Sequence, residues 1–298
     1  MNVAAVDLGT NTTRLLVADV AGGRVEELHR ETRITRLGEG VDSRHRLLPL
    51  PIARVRNALT DYRRTAESLG AERTLLVATS AVRDAENGEA FLGEIEWSYG
   101  FSTQLLSGDE EARLTRRGVG ELGVGTLLVD LGGGSTELVL GGFHTSLPLG
   151  SVRFTERHGD DAVANIEAAR SLLPDLEPED AVGVAATITS IAVLDLGLEE
   201  YDRDRVHGHV LTRDGARAQL ERLTGLRLDE RRRVPGLDPE RAPVIVAGAA
   251  ILVAILDAYG LDSIRVSERD LLDGAALAAA ELPEPEEGAA PPGAYTCC

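Results

Sequence analysis

Lysine is absent from this chain, and all 31 of its basic residues are arginine. A Walker-type nucleotide site is therefore excluded, because that site needs a lysine directly after its glycine loop. Any phosphate site must use arginine instead, whose guanidinium binds phosphate oxygens through two parallel hydrogen bonds. The formal net charge of −18 argues against general nucleic-acid binding, because that affinity comes from neutralising phosphates.

Aromatic residues, cysteines and long apolar runs are also scarce. Aromatics make up 3% of the residues against 43% for all hydrophobic ones, so aliphatic cores are predicted. Cys297 and Cys298 are adjacent and form neither a core disulfide nor a zinc pattern. No apolar run approaches the ~20 residues that span a bilayer, and no basic segment precedes the first strand. These absences predict a cytoplasmic protein without a membrane span or a secretory signal.

A glycine-rich stretch from Asp130 to Glu137, DLGGGSTE, lies between two apolar runs that predict buried strands. Three consecutive glycines permit positive φ, and successive N–H groups in such a turn form a concave seat for phosphate oxygens. The flanking carboxylates would repel a phosphate unless a divalent cation lay between them. Asp130 and Glu137 therefore predict a magnesium-assisted phosphate site, although a glycine hairpin with two solvated acids explains this stretch alone equally well.

The same pattern occurs near the amino terminus, where residues 7–15 read DLGTNTTRL. A constant offset of 123 places Asp7 on Asp130 and Arg14 on Glu137. Two copies of a strand–turn–strand phosphate hairpin predict an α/β protein with two similar domains that face each other across a cleft. The domains are assigned to residues 1–115 plus about 272–282 and to residues 116–271, followed by a disordered tail over 283–298.

The remaining elements follow from apolar periodicity and from proline and glycine boundaries. Helices are predicted over 50–69, 107–118, 162–173, 213–223, 241–259 and 270–280, and further strands over 73–79, 101–106, 143–149, 182–185 and 263–266. The 241–259 segment is apolar nearly all round and is expected to be buried. The loop RLGEGV, residues 36–41, is predicted either to approach another segment closely or simply to turn.

Two adjacent glutamates open the 107–118 helix. Ser107 and Glu110 fit a capping box, so Glu110 is assigned to the cap. Glu111 is not needed for the cap and points about 100° away around the helix, which makes it a candidate for catalysis. Arg83 follows the 73–79 strand at the edge where open α/β sheets collect ligands, although a solvated helix arginine is the alternative.

Three further features lie in the second half of the chain. Gly150 and Ser151 are predicted to begin a helix whose first N–H groups bind phosphate. The pair His207 and His209 is predicted to share one face of a strand, and the lack of a third ligand nearby favours a structural role over metal binding. Arginines 231–233 form either a local track for a polyanion or a solvated helix end.

The motifs together resemble the exopolyphosphatase and guanosine pentaphosphate phosphohydrolase (Ppx/GppA) phosphatase family, in its short two-domain type. This family has the fold of actin, sugar kinases and heat-shock chaperone ATPases. The resemblance is carried by DLGTNTTRLLV (7–17), TSAVRDA (79–85), SGDEEARL (107–114), VDLGGGSTELVLG (129–141), SLPLGSVRFTE (146–156), YDRDRVHGHVLTR (201–213) and RVPGLDPERAPVIVAGAAIL (233–252). One departure is Ala186, where the family usually has glycine.

The resemblance also implies roles for individual residues. Glu111 matches the general base, Asp130 and Glu137 match acids that orient metal or water, and Asp7 is a further candidate metal ligand. Phosphate contacts are implied for Thr10, Asn11, Arg14, Arg83, Gly132, Gly133, Gly134, Ser135, Gly150 and Ser151. The implied cofactor is Mg²⁺ or Mn²⁺, and the implied assembly is a homodimer.

The predicted activity is hydrolysis of the terminal phosphoanhydride of inorganic polyphosphate, preferably in short chains, with release of orthophosphate. The alternative substrate is guanosine pentaphosphate, which presents a similar phosphoanhydride. A kinase of the same superfold and a non-catalytic nucleotide or polyphosphate sensor are further alternatives. A kinase needs an acid beside an acceptor pocket, and a sensor has no need of Glu111, so both rank below hydrolysis. Neither a nucleic acid nor a membrane is expected as a partner.

Overall fold

A computed structural model of the chain describes residues 1–283. These residues form two units, each α/β with one mixed sheet. Unit 1 consists of Met1–Gly118 and the segment that begins at Leu271, and unit 2 is Val119–Asp270. The predicted tail lies outside the described residues apart from its first residue, as do Cys297 and Cys298.

Unit 1 holds the first of the two predicted hairpins. Its strands are β1 (Asn2–Leu8), β2 (Thr12–Ala21), β3 (Arg24–Ile34), β4 (Arg73–Ala78) and β5 (Ser102–Leu105). Its helices are α1 (Val41–Arg44), α2 (Pro49–Ser68), α3 (Ser80–Arg83), α4 (Gly88–Tyr99), α5 (Gly108–Val119, whose last residue belongs to unit 2) and α13 (Leu271–Ala279). The sheet order is β3-β2-β1-β4-β5, with β1, β2 and β3 antiparallel and with β4 and β5 parallel to β1.

Both faces of the unit 1 sheet are buried, which explains the nearly continuous apolar sequence of β1. Successive side chains of a strand point to opposite faces. Ala4 and Val6 accordingly lie in a core cluster with residues of α2 and α4. Val3 and Ala5 lie in a second cluster, with residues of α13.

Unit 2 repeats this arrangement. Its strands are β6 (Thr126–Leu131), β7 (Thr136–Leu140), β8 (Phe143–Leu147), β9 (Asp180–Val184), β10 (Val210–Thr212) and β11 (Ser263–Val266). Its helices are α6 (Ser151–His158), α7 (Ala162–Leu172), α8 (Ala185–Asp195), α9 (Arg203–Val206), α10 (Arg213–Thr224), α11 (Leu228–Arg231) and α12 (Ile245–Ala258). The order β8-β7-β6-β9-β11 matches that of unit 1 strand for strand, and β10 adds an antiparallel edge.

Prolines explain two differences from the predicted boundaries. Helix α12 begins at Ile245 rather than at Arg241, because Pro243 disfavours helical geometry in the residue before it. Strand β8 ends at Leu147, directly before Pro148, which has no N–H to donate to the sheet. The predicted burial of the apolar helix is confirmed, since every residue from Ile245 to Leu256 is buried.

The prediction that the histidine pair lies on a strand is wrong. His207 follows α9, and Gly208 has a φ of 83°, which turns the chain before β10. The Nδ1 atom of His207 accepts a hydrogen bond from the backbone N–H of Glu268 at 3.1 Å. His209 Nε2 lies 2.8 Å from a carboxylate oxygen of Asp195. Both contacts support the predicted structural role.

None of the helices formed by residues 1–283 combines the length and the apolar character needed to cross a membrane.

Candidate active site

The two predicted hairpins form with the same register. In unit 1, Asp7 lies opposite Arg14 on β1 and β2, and in unit 2, Asp130 lies opposite Glu137 on β6 and β7. We call residues 9–12 turn 1 and residues 132–135 turn 2. Each turn is closed by one backbone bond between its first and fourth residues, at 2.9 Å in turn 1 and 3.0 Å in turn 2. The offset of 123 read from the sequence therefore describes a duplicated structure.

The segment that follows β3 holds the carbonyl groups of turn 1. Thr10 O accepts a hydrogen bond from the N–H of Gly38 at 2.8 Å. Asn11 O accepts from the N–H groups of Thr35 at 3.1 Å and of Arg36 at 2.9 Å. A Cβ on Gly38 would collide with the Thr10 side chain. The RLGEGV loop therefore makes the close approach that was one of its two predicted roles.

The start of α6 holds the equivalent carbonyl groups of turn 2. Gly133 O accepts hydrogen bonds from the N–H groups of Val152 at 2.8 Å and of Arg153 at 3.1 Å. Gly134 O accepts from the Nε–H of Arg153 at 2.7 Å. Gly133 and Gly134 correspond to Thr10 and Asn11 by the same offset, so both turns are anchored through equivalent carbonyls.

The N–H groups of the two middle residues of each turn remain available. In a trans peptide the C=O of one residue and the N–H of the next point in opposite directions. Fixing the Thr10 carbonyl therefore directs the Asn11 N–H away from the anchoring segment, and fixing the Gly133 carbonyl does the same for the Gly134 N–H. No hydrogen bond among residues 1–283 uses the N–H groups of these four turn residues. Such groups are suitable donors for phosphate oxygens.

The prediction that the three glycines of turn 2 permit positive φ angles is wrong. No residue from Gly132 to Gly134 has a positive φ. A steric demand falls instead on Gly150, where a Cβ would collide with the carbonyl of Gly133. The N–H of Ser151 donates to Gly132 O at 3.1 Å, so the start of α6 supports turn 2 with the N–H group that was assigned to phosphate.

Asp7 and Arg14 form an ion pair in unit 1. The Nε and Nη2 atoms of Arg14 lie 2.9 and 2.8 Å from Oδ2 of Asp7. Asp7 is 4% exposed, so this contact lies largely out of water. The positive charge of Arg14 makes Asp7 the least suitable of the three predicted metal ligands.

The equivalent pair in unit 2 consists of two acids. Asp130 and Glu137 are 7% and 2% exposed, and Ser146 Oγ donates to Oε1 of Glu137 at 2.7 Å. Unit 2 thus has an Asp–Glu pair where unit 1 has an Asp–Arg pair, so negative charge is concentrated in unit 2. Carboxylate oxygens are ligands that Mg²⁺ prefers. No three His, Cys, Asp or Glu side chains of the described residues form a ready metal site. Mg²⁺ commonly uses one or two carboxylates and completes its shell with water and substrate phosphate, which this pair allows.

The short helix α3 connects turn 1 to the predicted base. At its start, Ser80 Oγ lies 2.8 Å from Thr10 Oγ1. At its end, Nη1 of Arg83 donates to Leu106 O at 2.7 Å and to Oε2 of Glu111 at 3.3 Å. Glu111 is 6% exposed. A buried carboxylate is thus held beside a cation and linked through α3 to turn 1.

The different placement of the adjacent glutamates is as predicted. The Ser107 N–H donates to Oε2 of Glu110 at 2.8 Å, and the Glu110 N–H lies 3.3 Å from Ser107 Oγ, which completes the capping box. The hydrogen bond from the Ser107 N–H lowers the pKa of Glu110 below its ordinary value. Glu111 takes no part in this cap.

The predicted site residues divide between the units. Unit 1 contains Asp7, Thr10, Asn11, Arg14, Arg83 and Glu111, and unit 2 contains Asp130, Gly132, Gly133, Gly134, Ser135, Glu137, Gly150 and Ser151. Sequence reasoning assigned no role to Ser80, Ser146 or Arg153, although all three lie within the quoted motifs. Ser146 was detectable only through the sheet register, which places it opposite Glu137.

Arg231 does not belong to a surface track. It is 2% exposed, and its guanidinium donates to the Asp160 carboxylate and to Ala242 O. A buried arginine needs such partners, because an unpaired charge in the protein interior is strongly destabilising. The polyanion track considered for arginines 231–233 is therefore wrong for its first member.

The departure at Ala186 lies next to a backbone outlier. Ala185 has a φ of 71°, a conformation that a Cβ disfavours. It follows Val184, which lies beside Asp130 in the parallel pair β6–β9. Two alanines therefore occupy the strand-to-helix turn that neighbours the acidic pair.

Comparison with known proteins identifies the family. The sequence profile of the Ppx/GppA phosphatase family matches residues 16–281. The chain belongs to this family. It is 39% identical to Exopolyphosphatase 2 of Mycobacterium tuberculosis, with 93% of this chain and 98% of the relative covered. It is 30% identical to the guanosine-5'-triphosphate,3'-diphosphate pyrophosphatase of Photobacterium profundum, with 91% of this chain but 58% of that relative covered.

Solved structures confirm the predicted actin-like α/β fold. A crystal structure of an exopolyphosphatase-like protein has a TM-score of 0.82 at 33% identity and covers 93% of this chain and 98% of that one. The Ppx/GppA family member of Aquifex aeolicus has a TM-score of 0.77 at 28% identity, with 94% and 98% covered. The duplicated turns described above are thus features of a Ppx/GppA phosphatase.

Proposed function

We propose that this chain is an exopolyphosphatase, which hydrolyses the terminal phosphoanhydride of inorganic polyphosphate and releases orthophosphate. One observation carries the proposal: in each of the two duplicated turns, the two middle residues have anchored carbonyls and available N–H groups. The relative named Exopolyphosphatase 2 is similar over nearly the whole of both chains, which supports polyphosphate as the substrate.

The proposed roles of the phosphate-binding residues follow from their chemistry. The N–H groups of the two middle residues of each turn donate to phosphate oxygens, and the hydroxyl groups of Thr10 and Ser135 add further donors. Arg14 and Arg83 supply positive charge at unit 1, where each is already oriented by a carboxylate. Ser151 contributes through its hydroxyl group, because its N–H is bonded to turn 2.

Asp130 and Glu137 fit a divalent cation, and Mg²⁺ or Mn²⁺ is the proposed cofactor. When bound, the cation neutralises phosphate charge and polarises the phosphoanhydride. Ser146 holds one oxygen of Glu137 and so restricts the orientation of that carboxylate. In this proposal Asp7 mainly orients Arg14, because the positive charge of Arg14 offsets the negative charge of Asp7.

Glu111 is the proposed general base, which accepts a proton from the attacking water at a carboxylate oxygen. Arg83 orients Glu111 through a contact of 3.3 Å between Nη1 and Oε2. A carboxylate is a weak base for water, so correct positioning of the water contributes more than proton affinity. A buried, oriented carboxylate supports hydrolysis over a purely sensing role.

Guanosine pentaphosphate is the second candidate substrate. It is favoured by the similarity to guanosine-5'-triphosphate,3'-diphosphate pyrophosphatases, although this chain covers little more than half of the relative from Photobacterium profundum. A homodimer and a cytoplasmic location, both expected from the sequence, stay predictions.

Phosphate release from four substrates tests the proposal. Short polyphosphate, long polyphosphate, guanosine pentaphosphate and ATP are assayed side by side with Mg²⁺. The highest kcat/KM is expected for polyphosphate. A higher value for guanosine pentaphosphate would reverse the order of the two candidates, and phosphate transfer from ATP to an acceptor would indicate a kinase.

A further inference from the structure

Two helices of unit 1 approach each other closely at Gly274. This glycine lies on α13, and a Cβ at its position would collide with the carbonyl of Leu114 on α5. The Cβ would lie 2.7 Å from the carbonyl carbon of Leu114. Because carbon atoms in contact stay ~3.5–4.0 Å apart, the two backbones would have to separate by about 1 Å.

Close packing is the reason for a glycine at this position. Gly274 does not have a positive φ, so its backbone conformation is open to any residue. A glycine inside a helix also destabilises the helix relative to alanine. The contact with Leu114 accounts for a residue that local preference disfavours.

The contact lies one helical turn from the proposed base. Leu114 follows Glu111 by three residues, and residues at this spacing are neighbours on a helix surface. The hydrogen bonds of an α-helix join successive turns, so a displacement at Leu114 is passed on to the turn that carries Glu111. The approach of α13 therefore acts on α5 directly beside Glu111.

Helix α13 is the better anchored of the two helices. It packs on β1, β2 and β4, and its residues Leu272, Ala275 and Ala276 are fully buried. Nη2 of Arg30 on β3 donates to Oδ2 of Asp273 at 3.0 Å, which attaches α13 to a further strand.

Helix α5 has much less apolar surface with which to resist displacement. Residues 108–118 contain six charged side chains, and their apolar side chains are Ala112 and Leu114. A Cβ on Gly274 should therefore displace α5 rather than α13.

Such a displacement would change the position of the base relative to its partner. Nη1 of Arg83 contacts Oε2 of Glu111 at 3.3 Å. Arg83 lies on α3 and is held by its own hydrogen bond to Leu106 O at 2.7 Å, so it does not follow a movement of α5. A misplacement of ~1 Å in an active site can lower turnover by about 100-fold.

We propose that Gly274 is a positioning residue for Glu111, because its close contact with Leu114 sets the position of α5. This inference rests on the proposed function, since it takes Glu111 to be the general base. Gly274 acts through α5 and makes no contact with the substrate in this proposal.

Gly274→Ala tests the proposal on tripolyphosphate with Mg²⁺. The added methyl group should lower kcat by about 10–100-fold. KM, and the affinity for tripolyphosphate measured by calorimetry, should stay near the wild-type values, because turn 1 is held by residues 35–38.

Gly236→Ala is the matched control for a loss of stability. A Cβ on Gly236 would collide with the carbonyl of Leu198 in unit 2, and Gly236 has a φ of 78°, so alanine is unfavourable there for two reasons. This variant should lose at least as much thermal stability as Gly274→Ala and keep kcat within about two-fold of wild type. Loss of kcat in proportion to loss of stability in both variants would overturn the proposal.

A double-mutant cycle shows whether Gly274 acts through the base. If it does, adding Gly274→Ala to Glu111→Gln should leave the residual turnover unchanged, because the group that is displaced no longer contributes. Losses that multiply in the double variant, or wild-type kcat in a folded Gly274→Ala variant, overturn the proposal.

Arg117→Gln provides a milder test if Gly274→Ala does not fold. Nη1 of Arg117, in the last turn of α5, donates to Oε2 of Glu281 after α13 at 2.9 Å. This pair is exposed, so its loss should have little effect on stability. Arg117→Gln should lower kcat less than Gly274→Ala does, and the loss should disappear in the Glu111→Gln background. Wild-type kcat in Arg117→Gln would then overturn the proposal.

The cycle is run on each substrate that the wild type hydrolyses, which separates this inference from the proposed function. If guanosine pentaphosphate is hydrolysed and polyphosphate is not, the proposed function fails, and a non-additive cycle still supports the role of Gly274. If polyphosphate is hydrolysed and the two losses multiply, the inference fails alone. If Glu111→Gln keeps wild-type turnover, the role of Gly274 fails together with that of the base.

Discussion

Replacing Glu111 by glutamine should abolish most turnover without unfolding the protein. The Glu111→Gln side chain has nearly the same size and keeps an oxygen that can accept the hydrogen bond from Arg83. It cannot accept a proton from water. Because Glu111 is 6% exposed, solvent cannot easily replace the missing carboxylate at the same place.

The expected loss combines two effects of different size. Removal of a general base lowers turnover by about 10²–10⁴-fold, so kcat should fall by ~100-fold or more, or about 2.7 kcal/mol in activation free energy. The contact with Arg83 is 3.3 Å long, which exceeds the usual length of a strong charge-assisted bond. Its weakening should therefore lower the free energy of unfolding by no more than ~1 kcal/mol, a few degrees in Tm.

The assay compares kcat, KM and Tm for wild type, Glu111→Gln and Glu110→Gln on tripolyphosphate with Mg²⁺. Glu110→Gln is the matched control, because Glu110 is the neighbouring acid and serves the capping box. It should keep kcat within about two-fold of wild type. A larger loss of kcat in Glu110→Gln than in Glu111→Gln would refute the assignment of the two acids. A folded Glu111→Gln variant with nearly wild-type turnover would refute the role of Glu111 as base.

Four further predictions concern the helix cap, the turn packing, the metal and the substrate. The Ser107 N–H lowers the pKa of Glu110, so this acid stabilises the folded state above its unfolded pKa of about 4.5 and loses that effect as the pH falls through the lower folded value. Glu110→Gln should thus be less stable than wild type at neutral pH, and the difference in Tm should disappear in acid. Gly150→Ala should lower the free energy of unfolding by about 1–3 kcal/mol in denaturant titrations, whereas Gly142→Ala, where a Cβ meets no atom within 4 Å, should be nearly neutral. Excess chelator should abolish hydrolysis, Mg²⁺ should restore it, and Glu137→Ala should raise the Mg²⁺ concentration required; full activity in chelator would contradict the metal site. The net charge of −18 should make kcat/KM higher on short than on long polyphosphate at equal concentrations of chain ends. The difference should be smaller at high salt, because charges beyond ~8–10 Å are then screened. Processive hydrolysis of the longest chains would contradict this prediction.

Local sequence patterns were sufficient to predict most strands, most of the long helices and the two hairpins, whereas helix α4 was not predicted. The hairpins were predictable because Asp7 and Asp130 begin similar motifs at a fixed offset, and the register confirms the alignment residue by residue. Glu110 and Glu111 were separable because the capping-box pattern accounts for only one of them.

The remaining features depend on contacts between segments that are distant in sequence. Gly150 follows a strand and begins a helix, but its packing against Gly133 appears only once α6 is folded onto turn 2. The burial of Arg231 likewise depends on Asp160, 71 residues earlier in the chain. The left-handed conformations of Arg36 and Ala185 break local preference, and no local pattern predicts them.

Because helix α13 is the last element that the structure describes, unit 1 is completed only after unit 2 has been synthesised. The strands of unit 1 are complete by Leu105, yet one face of their sheet is covered by Leu272 and Ala276, which are translated only after the whole of unit 2. At about 5–20 residues per second, the ribosome needs several seconds or more to add the intervening segment. During that time the apolar face that contains Val3 and Ala5 lacks the cover of α13, so a nascent chain stalled within unit 2 should be a preferred substrate for chaperones.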